Sequence, residues 1–186
     1  MRLHRAIEQE QQVVQYQQPE DFYCVAATYD LHGGDKVPFF KGTVISVYNY
    51  ANVGEVNGPL QNANNMTLCG RAANEKDSSK LLVAPCFLPN ILAGPYWVIG
   101  VGEASDGTYD WAVVIGGEPS VKWDDGCTTK EEGTNGAGLW LFTRDPVASP
   151  AAIKKMHQVL EDQGIARSRL YKVQQKGCDY HGARLK

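Results

Sequence analysis

The sequence predicts an all-β fold, an antiparallel, up-and-down β-barrel of eight strands with one C-terminal α-helix packed on its side. Short stretches rich in Val, Ile, Tyr, Phe and Trp recur between turn signals from residue 22 onward, a pattern typical of β-strands. One amphipathic segment then precedes a last short strand, which favours a single helix laid against the barrel. The length of 186 residues suits one domain of this kind.

Turn signals divide the predicted strands at regular intervals. The strands are predicted at residues 22–31, 43–50, 66–73, 81–87, 96–102, 109–115, 139–144 and 171–174. Glycine-containing turns lie between them, at Gly33-Gly34, Asn57-Gly58-Pro59, Asp106-Gly107 and Gly116-Gly117. This spacing indicates a meander. The polar, Gly-rich insertion at 119–138 is predicted to be a loop at one mouth of the barrel.

The predicted helix has clear start and stop signals. Ser149 suits the N-cap, Pro150 the first helical position, and Gly164 the stop. One face of the helix is apolar and is formed by Ile153, Met156, Val159 and Leu160.

Charge and hydropathy argue against two classes of partner. A formal net charge of −3 without a basic stripe argues against nucleic-acid binding. No apolar run approaches the roughly 18 residues of a membrane span.

Residues 1–18 are polar and Gln-rich and lack the apolar core of a signal peptide, so no signal peptide is visible in this chain. We expect an atypical N-terminal segment at 1–21, a barrel domain at 22–180 and a tail at 181–186.

Period-two alternation assigns residues to the barrel interior. In the first predicted strand the inward set is Val25, Ala27, Tyr29 and Leu31. In the second strand we place Ile45, Val47 and Asn49 inside, where the Asn49 amide would need a partner. Each of these residues is also compatible with plain core packing. A barrel of eight strands is wide enough to hold one small ligand.

Several motifs, in order, resemble the lipocalin family over about residues 22–180. They are CVAATYDL (24–31), VISVYNY (44–50), APCFLPNILAGPYWVIGVG (84–102), YDWAVVIGG (109–117) and LWLFTRDP (139–146). Within the family the similarity is to the branch of apolipoprotein D and the bacterial lipocalins. The long insertion carrying Cys127 resembles algal members. The resemblance places Asp110 in the second family motif and Arg144 in the third, where the arginine closes the narrow end of the barrel.

The first family motif, Gly-x-Trp before the opening strand, is missing here. The first strand is therefore absent, supplied by an unrecognised segment such as residues 12–16, or lost through a different start of the chain. We expect an atypical N-terminus and a weak edge at that point.

The resemblance implies that the barrel binds and carries a small hydrophobic ligand, such as a lipid, fatty acid, retinoid, carotenoid or other pigment. It also implies that Trp140 and Phe142 point inward. The expected ligand contacts are Tyr29, Ile45, Val47, Asn49, Trp140 and Phe142. No cofactor is required on this interpretation, although a bound lipid, retinoid or carotenoid is compatible with it.

Five cysteines favour an oxidising compartment, either secreted or an organelle lumen such as that of the chloroplast. The resemblance implies a disulfide between Cys24 and Cys178. Cys69 and Cys86 lie on neighbouring predicted strands, and either a disulfide or two buried thiols fits them. Cys127 has no evident partner, and no C-x₂-C spacing indicates a metal site.

Nothing in the sequence indicates catalytic residues. There is no Gly-x-Ser-x-Gly, phosphate-binding loop or HExxH motif. The four histidines, His4, His32, His157 and His181, are predicted to be solvated, as is the loop Asp124-Asp125-Gly126. Two alternatives remain: an enzyme resembling the xanthophyll de-epoxidases, and a non-catalytic subunit of a pigment–protein complex. A membrane-peripheral association is also compatible with the sequence.

Overall fold

The computed structural model describes residues 14–16, 21–72, 74, 76–103, 107–130, 138–168 and 170–183. The strands are, in chain order, β1 (Val14–Tyr16), β2 (Phe22–Asp30), β3 (Val44–Val53), β4 (Thr67–Arg71), β5 (Lys80–Pro85), β6 (Gly94–Glu103), β7 (Tyr109–Ile115), β8 (Val121–Trp123), β9 (Gly126–Thr128), β10 (Leu139–Thr143) and β11 (Tyr171–Lys172). One helix, α1 (Pro150–Asp162), precedes β11. The predicted all-β class with one C-terminal helix is confirmed.

Nine strands form one curled antiparallel sheet in the order β11-β1-β10-β7-β6-β5-β4-β3-β2. Its two edges meet where the Cys24 backbone N–H donates to the Gln174 carbonyl at 3.0 Å. The Gln175 side chain adds a hydrogen bond to the Val25 carbonyl at 2.8 Å. The sheet therefore wraps around until β2 meets the segment that follows β11.

The predicted strands are present, but two further pieces of β-structure differ from the expectation. Strand β1 lies between β10 and β11, with Val14 opposite Leu141. This agrees with the alternative in which residues 12–16 supply the first strand. The insertion at 119–138 is only partly a loop, because β8 and β9 form a hairpin closed by Asp124 and Asp125. A two-residue connection of this kind is the commonest hairpin turn.

Asp125 is exposed to solvent, as the sequence suggested, but its carboxylate is bound to another part of the chain. Its carboxylate accepts hydrogen bonds from the Ser168 hydroxyl at 2.7 Å and from the backbone N–H groups of Arg167 and Ser168, each at 2.9 Å. These bonds, led by that of the Ser168 hydroxyl, lower the pKa of Asp125. The carboxylate thus fastens the β8–β9 hairpin to the chain that follows α1.

Helix α1 covers the outer face of β6, β7 and β10. The Ser149 side chain accepts from the Ala152 N–H at 3.1 Å and caps the first turn, and Gly164 adopts a φ of 64° beyond the last turn. The buried cluster beneath the helix consists of Val113, Ile115, Leu139, Leu141, Met156, Leu160 and Ile165. His157, predicted to be solvated, is half-buried on this helix, and its burial lowers its pKa. No helix in the described residues is long and apolar enough to cross a bilayer.

The C-terminal tail covers the outer face of β2 and β3. Tyr180 and Ala183 pack against the buried cluster of Cys24, Ala26, Tyr48 and Tyr50. The predicted Cys24–Cys178 disulfide is present, with a sequence separation of 154, and it anchors this tail. The pairing of Cys69 with Cys86 is also present, which settles the choice between a disulfide and two thiols. Cys127 is free.

Arg71 is a fully buried cation that the sequence analysis did not single out. It alternates along β4 with Leu68 and Gly70 and so faces outward, under the turn that follows β5. Its guanidinium donates to the carbonyls of Cys69, Ala84, Pro85 and Leu88 at 2.8–3.4 Å. Arg71 therefore holds the 85–88 turn against the outside of the barrel.

We predict that the two disulfides contribute unequally to stability. In the chain-entropy treatment, closing the 154-residue loop stabilises the fold by about 5 kcal/mol and closing the 17-residue loop by about 3 kcal/mol. The double variant Cys24→Ser/Cys178→Ser should thus lose more free energy of unfolding in urea than Cys69→Ser/Cys86→Ser. Equal losses, or a reversed order, would contradict this assignment.

We also predict that Arg71→Lys destabilises the fold by about 2–4 kcal/mol, because an ammonium cannot reproduce the forked set of hydrogen bonds in a buried site. The matched control is Arg167→Lys, since Arg167 forms an exposed ion pair with Glu161 and such pairs contribute little. Urea unfolding of both variants measures the difference. Similar small effects would show that the Arg71 hydrogen bonds are not needed.

Candidate ligand-binding cavity

The inner face of β2 and β3 is set by their pairing. Ala27 lies opposite Asn49 and Tyr29 lies opposite Val47, so these four side chains share one face of the sheet. On β10, Trp140 and Phe142 alternate with Leu139 and Leu141, which pack beneath α1 on the outer side. Trp140 and Phe142 consequently point into the barrel.

These residues enclose a cavity of about 190 Å³. One end of the cavity reaches Gln61, in the connection between β3 and β4. Its lining comprises Phe22, Val25, Ala26, Ala27, Tyr29, Val47, Asn49, Tyr50, Ala51, Gln61, Leu68, Val83, Tyr96, Trp140 and Phe142. Five of the six predicted ligand contacts belong to this lining, and Ile45 does not.

Ile45 lies in a separate cluster of the core. It packs with Val47, Ala72 and Leu81, and Leu31 and Leu68 pack against the same cluster. Because Val47, Tyr29 and Tyr96 border both the cluster and the cavity, this cluster closes the cavity on one side.

Two tyrosines meet across the cavity. The hydroxyls of Tyr29 on β2 and Tyr96 on β6 are joined by a short hydrogen bond. Burial raises the pKa of Tyr29 to about 12, although the bond to Tyr96 opposes the rise. Burial also raises the pKa of Tyr96 well above its usual range, and the neighbouring Tyr29 adds to the rise. Both phenols therefore stay protonated and can act as hydrogen-bond donors at neutral pH.

An aromatic wall continues from this pair. The ring centroid of Trp140 lies 5.7 Å from that of Tyr96, and the ring centroid of Tyr29 lies 6.3 Å from that of Tyr96. The rings are tilted by 35° and 46°, and separations in this range suit tilted aromatic contacts. The three rings give the cavity an aromatic side.

The lining carries few polar groups and no formal charge. None of the lining residues that the structure describes is Asp, Glu, Lys, Arg or His. Asn49 is exposed at the side of the cavity rather than enclosed, so solvent satisfies its amide and the expected buried partner is not needed.

Asp110 and Arg144, predicted to be structural, lie outside the cavity. The Arg144 backbone N–H donates to the Asp110 carbonyl at 2.8 Å, and its Nε donates to the Tyr109 carbonyl at 3.1 Å. Both residues line a separate surface depression of about 340 Å³ beside the start of α1.

Among the described residues, Asp35, Cys69 and Cys86 bring potential metal-ligand atoms within 4.8 Å of one another. Both sulfur atoms are joined in the disulfide. A thiolate, the form in which cysteine ligates metals, is therefore not available at this point.

Sequence reasoning missed Tyr96, although a usable signal was present. Trp97 and Ile99 pack against the cluster beneath α1. Because side chains alternate along β6, Tyr96 must then face inward. The alternation along β6 can be read from the sequence. The sequence analysis did not determine which face of β6 lies beneath α1, and that face decides whether Tyr96 or Trp97 points inward.

We predict that Tyr29 and Tyr96 ionise late and reduce stability at high pH. Between pH 10 and 12 the unfolded chain has released the protons of these two phenols while the folded protein retains them. Below pH 10 these two groups do not change the free energy of unfolding, because both states hold their protons. The free energy of unfolding should then fall as the pH rises through this window. Ultraviolet titration should show a late-ionising signal that is clearly smaller in Tyr29→Phe/Tyr96→Phe, while Tyr50, whose pKa burial also raises, keeps part of it. A late signal of the same size in this variant and in the wild-type protein would contradict the prediction.

Comparisons with known proteins place this architecture. No family model matches the sequence, and no curated protein matches it. Solved structures do match: apocrustacyanin C2 and lobster apocrustacyanin A1, each with a TM-score of 0.56 and 14% identity over 92% of this chain and 78% of the other. H1 crustacyanin from the lobster Homarus americanus matches with a TM-score of 0.55 and 14% identity over 97% of this chain and 84% of the other. Crustacyanins are lipocalins, and the chain therefore has the lipocalin fold.

Proposed function

We propose that this protein binds and carries a small hydrophobic molecule, one end of which occupies the cavity. The observation that supports this function is an uncharged, largely apolar cavity bounded by three aromatic rings inside a curled sheet. Ligand sites are typically apolar concavities with a few placed polar groups. The proposed contacts are Tyr29, Val47, Asn49, Trp140 and Phe142.

The size of the cavity limits how much of a ligand it encloses. A cavity of 150 Å³ lined by aliphatic and aromatic side chains binds benzene, and whole drug-sized ligands usually occupy 300–1,000 Å³. At about 190 Å³, the cavity accommodates roughly one six-membered ring. A lipid, retinoid or carotenoid would thus place one end inside and extend past Gln61.

The proposal is one of binding rather than turnover. The polar side chains of the described lining are tyrosine hydroxyls, the amides of Asn49 and Gln61 and the indole of Trp140. Burial keeps the hydroxyls of Tyr29 and Tyr96 protonated by raising their pKa values. This set suits recognition, whereas general acid–base catalysis at neutral pH favours groups with pKa values near 7. The two disulfides support a secreted or lumenal location, and the sequence motifs support the branch of apolipoprotein D.

A second candidate function is that of a subunit in a pigment–protein assembly. The connection from β5 to β6 presents Phe87, Ile91 and Leu92, which are 71%, 90% and 46% exposed. Adjacent exposed apolar side chains of this kind are typical of interaction sites.

Tryptophan fluorescence tests the binding function directly. Retinol should quench wild-type emission with 1:1 stoichiometry because Trp140 lines the cavity. Val83→Phe should weaken binding at least tenfold, since the added ring occupies space that the ligand needs. Val147→Phe, at a 72% exposed position, is the matched control.

Binding by Val83→Phe that equals wild type would place the ligand outside the cavity. Failure of retinol, a fatty acid and a carotenoid to bind the wild-type protein would refute the proposed function. Native mass spectrometry of the same samples separates the two candidates, since a subunit would form assemblies while a monomeric carrier would show one protein with one bound mass.

A further inference from the structure

The paired tyrosines carry an inference about which ligands the cavity accepts. We infer that Tyr29 and Tyr96 together select a neutral ligand that buries a ketone or hydroxyl oxygen at the inner end of the cavity, and that a carboxylate is rejected there. This inference rests on the proposed function and specifies the chemical class of its ligand.

The first step is an account of the hydrogens on the pair. Each phenol carries one donor hydrogen, and the bond between the two hydroxyls uses only one of them. In the described part of the chain, neither hydroxyl has a second hydrogen-bond partner. One donor hydrogen of this part-buried pair is therefore available to an occupant of the cavity. A ligand that displaces solvent from this hydrogen without offering an acceptor leaves it unpaired, which is unfavourable, and a ligand oxygen avoids that penalty.

The second step concerns charge. A carboxylate that enters the cavity would leave water without meeting a cation, because the described lining residues include no Lys, Arg or His. Strand β1, Val14–Tyr16, carries no such residue in its sequence either. The buried guanidinium of Arg71 does not compensate, since it lies on the outer face of β4 and donates to backbone carbonyls.

The third step is the protonation state of the pair. Both phenols stay neutral, because burial raises the pKa values of Tyr29 and Tyr96. They therefore offer a hydrogen to an acceptor rather than a negative charge to a cation. A neutral carbonyl or hydroxyl oxygen suits this donor, and a ligand ammonium group does not.

The fourth step is shape. The cavity volume of about 190 Å³ holds about one ring, and the rings of Tyr96 and Trp140, tilted by 35° to each other, line it. The inner end of the ligand is then a ring-sized apolar group that carries one oxygen. The rest of the ligand extends toward Gln61.

A matched series of probes tests this inference. The four compounds are 4-butylcyclohexanone, 4-butylcyclohexanol, 4-butylcyclohexanecarboxylate and butylcyclohexane, with affinities measured by calorimetry at pH 7. The ketone and the alcohol should bind about tenfold more tightly than the hydrocarbon, the effect of one net hydrogen bond. The carboxylate should bind at least tenfold more weakly than the ketone.

The decisive variant is Tyr29→Phe/Tyr96→Phe, because either single variant still retains one donor. In this double variant the ketone and the alcohol should bind at least tenfold more weakly than they bind the wild-type protein, because their oxygen has lost its donor. The hydrocarbon should bind at least as tightly as it binds the wild-type protein and thereby reports an intact cavity. Tyr23→Phe is the matched control. It removes a hydroxyl from the same strand, in a residue that packs against the buried cluster beneath the C-terminal tail, and it should leave all four affinities unchanged.

The outcomes separate the two proposals. If the hydrocarbon and the ketone bind equally, or if the double variant keeps the preference for oxygen, the tyrosine pair does not select the ligand and binding by the cavity stands. Carboxylate binding as tight as that of the ketone overturns the charge argument in the same way. If none of the four compounds binds the wild-type protein, while retinol, a fatty acid and a carotenoid also fail, the proposed function itself is refuted.

Discussion

The meeting of β2 with the segment after β11 is the constraint on which the rest of the structure depends. Without it the curled sheet would have two open edges, and residues such as Tyr29 and Tyr96 would have no opposite wall to face. The contact is made by the backbone bond from Cys24 to Gln174 and by the buried side chain of Gln175. The Cys24–Cys178 disulfide makes the same junction covalent. A container with a defined interior follows from this junction.

The apolar side chains on the outer face of the curled sheet must also be buried, and two different segments of the chain bury them. Helix α1 lies over β6, β7 and β10, while the C-terminal tail lies over β2 and β3. The alternating residues of each strand then divide between an outer core beneath the helix and the tail and an inner surface that lines the cavity. The buried charge of Arg71 lies on the outer side, where backbone carbonyls surround it. This division keeps the described cavity lining free of formal charge.

Much of this arrangement could be predicted from the sequence, because period-two alternation and helix caps are local signals. The helix that Ser149 caps and the inward faces of β2 and β3 were readable from these signals, whereas the inward direction of Trp140 came from the family resemblance. Other features depend on contacts between distant parts of the chain. Arg71 is stabilised by carbonyls up to 17 residues away, and Asp125 by amides more than 40 residues away. Ile45 alternates correctly with Val47, yet it packs with Ala72 and Leu81 in the core and does not line the cavity.

The tail that seals the barrel has a consequence for biosynthesis. Cys24 belongs to an early strand, whereas Cys178 follows it by 154 positions in the sequence. During synthesis, one side of β2 therefore lacks its native partner until the segment with Gln174 and Cys178 has emerged. Contacts of such long sequence separation form slowly, and an uncovered strand of this kind is a template for association with other chains. The disulfide that makes the junction covalent can form only after this later segment has been synthesised.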